Sequence, residues 1–306
     1  MRSLTFTAAL LTAALAVAVL GAPSAVSATP PAPEGIDVAV PAYAWPTDDY
    51  LQTLLDPVLT PQMPSVIVVN IGNGDGDVSA MDATADALRA RTDSNGAAPK
   101  VIGYVHTGRA TRPMAEVKAR IDAWLAPRGG RVHYDGIFFD ETTRDCGSAP
   151  GLTDYRDYYR ALRSHVWSRL PGHEDLVVNN PGTAVGDCYL DGANRTADIF
   201  MTFEGDADTY AVLAGPGTNW AGYAGGNVFD ENGYRVGTEY DADSFWHLVY
   251  DVPGDSYRGI IDTAFSRYAG NVGVTDDLMT GSVVNPFDDT PSHLADSIGY
   301  ASQLPR

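Results

Sequence analysis

Eight short runs rich in Val, Ile, Phe and Tyr recur along this chain, each separated from the next by a polar or amphipathic segment. They are Val38 to Tyr43, Val66 to Ile71, Val101 to His106, Gly136 to Asp140, Leu176 to Asn180, Ile199 to Phe203, Phe245 to Tyr250 and Val272 to Thr275. Most are nearly continuous in apolar residues rather than alternating, as expected of strands covered on both faces in a parallel sheet. Helical segments are legible at Asp49 to Leu55, Met81 to Thr92, Met114 to Leu125, Tyr155 to Arg169 and Tyr257 to Tyr268. In the third, Val117, Ile121, Trp124 and Leu125 fall at helical spacing, so Trp124 is expected to pack on the sheet. This alternation predicts a single-domain α/β fold, a (β/α)8 TIM-type barrel over residues 36–306.

An open doubly wound sheet would produce the same alternation but needs a glycine-rich phosphate turn. Ile71-Gly72-Asn73-Gly74-Asp75-Gly76-Asp77 has the glycines, yet its aspartates would repel phosphate. As a calcium loop it lacks the closing glutamate. It reads as a tight polar barrel loop.

The chain opens with Arg2, an apolar run from Leu4 to Leu20 and small residues ending at Ala28, the order of a secretory signal peptide over residues 1–28. A membrane anchor is the alternative, but Thr29-Pro30-Pro31-Ala32-Pro33 follows without basic stop-transfer residues. Residues 29–35 form a Pro-rich lead-in, and the expected product is extracellular, with no stable membrane association after cleavage. A formal charge of -19 argues against nucleic acid as a partner and would attract cationic polymers, although acidity also serves solubility. Cys146 and Cys188 are the only two cysteines, and an exported chain with an even count is expected to pair them.

The fourth run passes without a break into Asp140-Glu141, and the sixth runs into Glu204. Parallel barrels present ligand-binding groups at the C-terminal ends of their strands, and acids from strands four and six can flank one bond there. Helix capping or arginine pairing is the bland reading of Asp140 and Glu141. Two opposed carboxylates, one protonated and one ionised, are what glycosidic cleavage requires. Successive strand residues point to opposite faces, so Asp140 and Glu141 are not expected to enter the barrel equally. Asp140 as acid and Glu204 as nucleophile or base is one distribution of roles; spacing alone does not fix it. Chitinase-type barrels end the same strand in Asp-x-Asp-x-Glu, whereas Phe138, Asp140 and Thr142 stand here, which argues against that mechanism.

Val40-Pro41-Ala42-Tyr43, Val69-Asn70, Gly103-Tyr104-Val105-His106-Thr107, Asp135 to Glu141, Asn179-Asn180-Pro181-Gly182, Thr202-Phe203-Glu204, Val274-Thr275-Asp276-Asp277 and Asn285-Pro286-Phe287 occur in series along the chain. In this order they resemble the spherulation-specific family 4, or spherulin-4-like, proteins, related to the glycoside hydrolase family 135 galactosaminogalactan hydrolases. The resemblance implies a (β/α)8 barrel that cleaves an α-1,4-linked galactosamine or N-acetylgalactosamine polymer; no cofactor and no metal are expected. It carries the catalytic acids onto Asp140, Glu141 and Glu204, and substrate contacts onto Tyr43, Asn70, Tyr104, His106, Asn180 and Asp276. A partly deacetylated, cationic polymer would also suit an acidic groove.

Two rival functions stand beside this one. Long-loop aromatics Trp220, Tyr223, Phe229 and Tyr234 fit a non-catalytic polysaccharide-binding protein on the same barrel. A metal-dependent lyase or hydrolase would draw on His106, His247, Asp276 and Asp277, a poorly patterned ligand set.

Overall fold

The computed structural model describes residues 35–92, 96–170, 176–190, 192–212, 240–279 and 285–305. The expected signal peptide, most of the lead-in and Trp220, Tyr223, Phe229 and Tyr234 lie outside the described residues. Eight strands are present: β1 (Asp37–Ala42), β2 (Val66–Val69), β3 (Lys100–His106), β4 (Gly136–Asp140), β5 (Leu176–Asn179), β6 (Ile199–Asp206), β7 (Phe245–Tyr250) and β8 (Asn271–Val274). They close into one barrel in sequence order, each pair parallel, with β1 meeting β8.

Helices α1 (Asp49–Leu55), α2 (Asp82–Arg89), α3 (Met114–Leu125), α4 (Asp154–Arg169), α5 (Ala207–Ala211), α6 (Tyr257–Ser266) and α7 (Leu294–Ala301) lie between or after the strands. Two are shorter than their sequence patterns. A 3-10 turn, Val78–Met81, takes the first residue expected of α2, and α6 stops before Tyr268, which adopts a left-handed φ of 58°.

Strand alternation sorts the core into two layers. Val68, Ile102, Phe138, Val178, Met201, Trp246 and Leu248 pack together inside the barrel, while Val40, Ile67, Val105, Phe139, Phe200 and Val249 join the helices in the outer layer. Trp124 belongs to that outer layer and is fully buried. Its Nε1 donates to the Tyr104 carbonyl at 2.9 Å. It lies on β3 because residue 103 is glycine: a Cβ there would stand 2.4 Å from the indole.

β6 breaks the alternation. Met201 pairs with Trp246 and Phe203 with His247, so Thr202 is an extra residue in the ladder, a β-bulge. Ile199 and Met201 face the barrel interior. Without the bulge Phe203 would follow them inward and Glu204 would face the helices. With it, Phe203 packs in the outer layer, and Glu204 pairs with the inward-facing Leu248.

Cys146 and Cys188 form a disulfide with Cα atoms 6.0 Å apart, joining the loops that follow β4 and β5. It closes a loop of 42 residues. The double change Cys146→Ser, Cys188→Ser should lower unfolding stability by about 2–4 kcal/mol. Urea denaturation tests this, and an unchanged midpoint would show that the loops are held without the bond.

Candidate active site

The inward parity of β4 that buries Phe138 also brings Asp140 to the barrel mouth, half-buried. Its Oδ2 accepts a hydrogen bond from the Tyr104 hydroxyl at 2.6 Å. Its Oδ1 accepts from Asn180 Nδ2 at 2.8 Å. The same nitrogen donates to Glu204 Oε2 at 2.7 Å. One amide thus spans two carboxyl groups that lie 64 positions apart in the chain, and the 2.8 and 2.7 Å bonds bound the separation of those oxygens at about 5.5 Å. Asn180 is itself oriented: its Oδ1 accepts from the Gly182 backbone N-H at 2.8 Å, leaving Nδ2 to face the acids.

Burial is the largest influence on both carboxyl groups. It pushes Asp140 upward, against hydrogen bonds from Tyr104, the Glu141 backbone and Asn180 that favour its charge; the Glu141 carboxylate adds to the rise. Burial and then the charge of Asp140 lift Glu204 from its ordinary 4.5 to about 7, opposed by the Asn180 bond. Two close acids cannot ionise independently. Asp140 accepts hydrogen bonds from three donors that favour its anion, while Glu204 is raised to about 7.

Aromatic rings wall this pair. Tyr43 meets Tyr104 edge-on at 5.3 Å between centroids and Phe287 at 5.9 Å, and Tyr250 lies 6.5 Å from Phe287. Burial, then the Asp140 charge, raises the Tyr43 and Tyr104 phenols well above their usual value, so both remain neutral donors. Phe287 and Tyr250 were not among the expected site residues. The signal for Phe287 is its place in Asn285-Pro286-Phe287, and the Tyr43 N-H bond to the Phe287 carbonyl at 2.8 Å brings that segment over β1.

The remaining expected residues are placed differently. Glu141 is exposed, turned away from β4 by a left-handed φ of 49°, and it does not join the Asn180 bridge. Asn70 Oδ1 accepts from the Gly74 backbone at 2.8 Å and shapes the loop after β2. His106 Nε2 lies 3.4 Å from Asp75, which Arg112 also binds at 2.7 Å. Asp276 accepts from the Ser292 backbone at 3.0 Å, a turn-holding role.

The ligand set considered for a metal is dispersed. His247 is buried on the outer side of β7, its Nδ1 2.8 Å from the Tyr210 hydroxyl, and burial pushes its imidazole down to about 3. Asp277 lies with Asp288 and Asp289 instead. Among the described residues, no helix is long and apolar enough to cross a membrane.

Comparison with known proteins adds family and fold. A family model described as Spherulation-specific family 4 matches residues 37–300. Spherulin-4 of Physarum polycephalum is 25% identical over 244 residues, covering 79% of this chain and 64% of that protein, so the chain spans less than two thirds of its relative. Among solved structures, Aspergillus clavatus Sph3 in complex with GalNAc aligns with a TM-score of 0.65 at 21% identity, over 88% of this chain and 98% of that one. At that identity the likeness shows the fold.

Proposed function

The chain belongs to spherulation-specific family 4, and from that premise we propose that it is a secreted glycoside hydrolase cutting within α-1,4-linked galactosamine or N-acetylgalactosamine polymers. The observation that carries this reading is the Asn180 amide shared between Asp140 and Glu204. It sets two acids of unequal protonation beside the rings of Tyr43, Tyr104 and Phe287. The sugar assignment is supported by the family and by the GalNAc present in the aligned Sph3 crystal. The charge of -19 suits a polymer bearing free amines.

The oxygen separation, about 5.5 Å at most, matches the roughly 5 Å of retaining glycosidases rather than the wider gap that accommodates a water. In the first step Asp140 attacks the anomeric carbon while Glu204 gives its proton to the departing glycosidic oxygen. A covalent glycosyl-Asp140 ester results. In the second step Glu204, now ionised, takes a proton from water, whose oxygen displaces Asp140 and restores both acids. Asn180 bonds to both oxygens throughout and steadies Asp140 as its charge is consumed and returned.

The test is product analysis on a defined galactosamine polymer. Shorter chains should accumulate, the first-formed reducing ends keeping the α configuration by proton NMR. Binding of polymer without shortening would sink the hydrolase reading, and initial β ends would sink the double displacement.

The protonation of Glu204 has two consequences. Cleavage should fall as pH rises through about 7, because the donor ionises. Stability should change in the same direction. With a folded value near 7 against an ordinary 4.5, the folded state binds more protons than the unfolded one between those values, so unfolding free energy declines as pH rises across that window. Glu204→Gln removes this loss. The variant should therefore melt above the parent at pH 8 by an amount worth roughly 3 kcal/mol, and close to it at pH 4. Calorimetry at the two pH values decides the matter; equal offsets at both would contradict the raised carboxyl.

A further inference from the structure

The backbone that presents Asp140 leaves the barrel through an unfavourable turn. Glu141 adopts a φ of 49°, and Gly108, Arg109 and Ala110 in the facing loop after β3 have φ values of 55°, 53° and 62°. Only one of these four is glycine, so surrounding contacts must hold the conformation. Those contacts converge on Thr107, which is fully buried. Its backbone N-H donates to the Asp140 carbonyl at 3.0 Å. Its Oγ1 lies 3.0 Å from that carbonyl and 2.9 Å from the Glu141 carbonyl, sharing one hydroxyl proton between two consecutive peptide oxygens. Arg109 N-H completes the clasp, 2.8 Å from the Glu141 carbonyl.

The direction of the Thr107 hydroxyl is fixed from beneath. Tyr159, also fully buried, places its hydroxyl 3.2 Å from Thr107 Oγ1 and accepts from the Thr143 backbone N-H at 3.1 Å. The Thr107 proton is committed to the carbonyls, so Tyr159 donates to Thr107 and cannot be replaced by phenylalanine without freeing the rotor. Beyond it, Thr143 Oγ1 lies 2.6 Å from the Tyr189 hydroxyl, which donates to the Asp145 carbonyl at 2.7 Å, one residue before the disulfide. The Thr142 N-H donates to the Asn180 carbonyl at 2.9 Å, so the same loop secures the residue that bridges the acids.

We propose that Thr107, oriented by Tyr159, is a positioning residue that sets the height and aim of the Asp140 carboxylate by clamping the Asp140 and Glu141 carbonyls. The proposal rests on the hydrolase reading only for its kinetic consequence. Displacing a reacting carboxylate by a fraction of an ångström impairs the chemical step more than ground-state binding. The hydrogen bonds of Thr107 to the acids go to their backbone carbonyls, so its effect passes through the backbone.

The test compares the parent with Thr107→Val, Thr107→Ser and Tyr159→Phe. Thr107→Val keeps the branched shape and the backbone donor but removes the hydroxyl. On galactosamine polymer its kcat should fall at least about 10-fold with KM within about twofold. Thr107→Ser should recover most of that rate, and Tyr159→Phe should lose rate in the same direction but less. In parallel, carbon-13 NMR of Asp-labelled protein follows titration of the Asp140 carboxyl, which should shift in Thr107→Val because the Tyr104 and Asn180 bonds are mis-aimed. A Thr107→Val protein that melts earlier yet keeps the parental kcat and Asp140 titration would overturn the proposal and leave Thr107 as ordinary packing. If the parent yields no shortened polymer, the hydrolase reading fails, and the NMR comparison alone then decides: an unmoved titration refutes the clamp, a moved one upholds it.

Discussion

Asp140→Asn and Glu204→Gln should each leave the barrel folded and reduce polymer cleavage by at least about a thousandfold. Each substitution preserves volume and an oxygen able to accept from Asn180 Nδ2, so the bridge of 2.8 and 2.7 Å can survive while the chemistry is lost. The two variants should then part company on an aryl glycoside of the oligosaccharide. A phenolate leaving group of low pKa needs no proton, so Glu204→Gln should recover much of its first-step rate and Asp140→Asn should recover none. The opposite pattern would assign donation to Asp140 and overturn the electrostatic argument that puts the proton on Glu204. Parental rates on polymer in both variants would remove the mechanism. Glu141→Gln, by contrast, should cost far less than either, because Glu141 is exposed and outside the bridge.

Gly136→Ala should be the most damaging single methyl addition in the barrel, costing about 4 kcal/mol or more, enough to unfold many domains. A Cβ at this position would stand 1.8 Å from the Leu176 carbonyl oxygen, 2.7 Å from its carbon and 2.9 Å from its nitrogen. All three are backbone atoms, so no rotamer change can relieve the clash, and β4 would have to separate from β5 where Gly136 pairs with Leu176. Any folded remnant should also lose activity. Asp140 ends the same strand, and Asn180, which holds it, directly follows β5. Urea titration measures the outcome, and a midpoint near that of the parent would show that the β4–β5 approach is looser than described. At Gly103 the obstructing group is the Trp124 ring, a side chain able to shift, so Gly103→Ala should be the milder change.

The barrel was legible because its signal is repeated and local. Strands buried on both faces read as apolar runs, and the observed boundaries fall within a few residues of them, β4 without any displacement. Asp140 stood out for the same reason: a carboxylate ending Ile137-Phe138-Phe139 has no solvation motive. Asn180 is legible in the sequence as a polar residue at a strand end, but its bridging geometry is not. The bridge depends on β4, β5 and β6 being neighbours and on a Gly182 amide that turns the side chain. Asn70 and Asp276 are strand-end polar groups, and each also satisfies a nearby backbone N-H, a use that strand-end position alone does not reveal.

Sequence by itself determined the eight strands, their order along the chain and the residue at which the fourth delivers an acid, and it favoured a parallel barrel over an open sheet, since hydrophobic periodicity and chain connectivity admit few arrangements. Only the tertiary structure decided that Glu204 faces that acid. Strict alternation from Ile199 sends Glu204 toward the helices, and the extra residue at Thr202 turns it back into the barrel. A bulge arises from the register of β6 against β7, a property of two strands brought together, and the order of residues within one strand does not contain it.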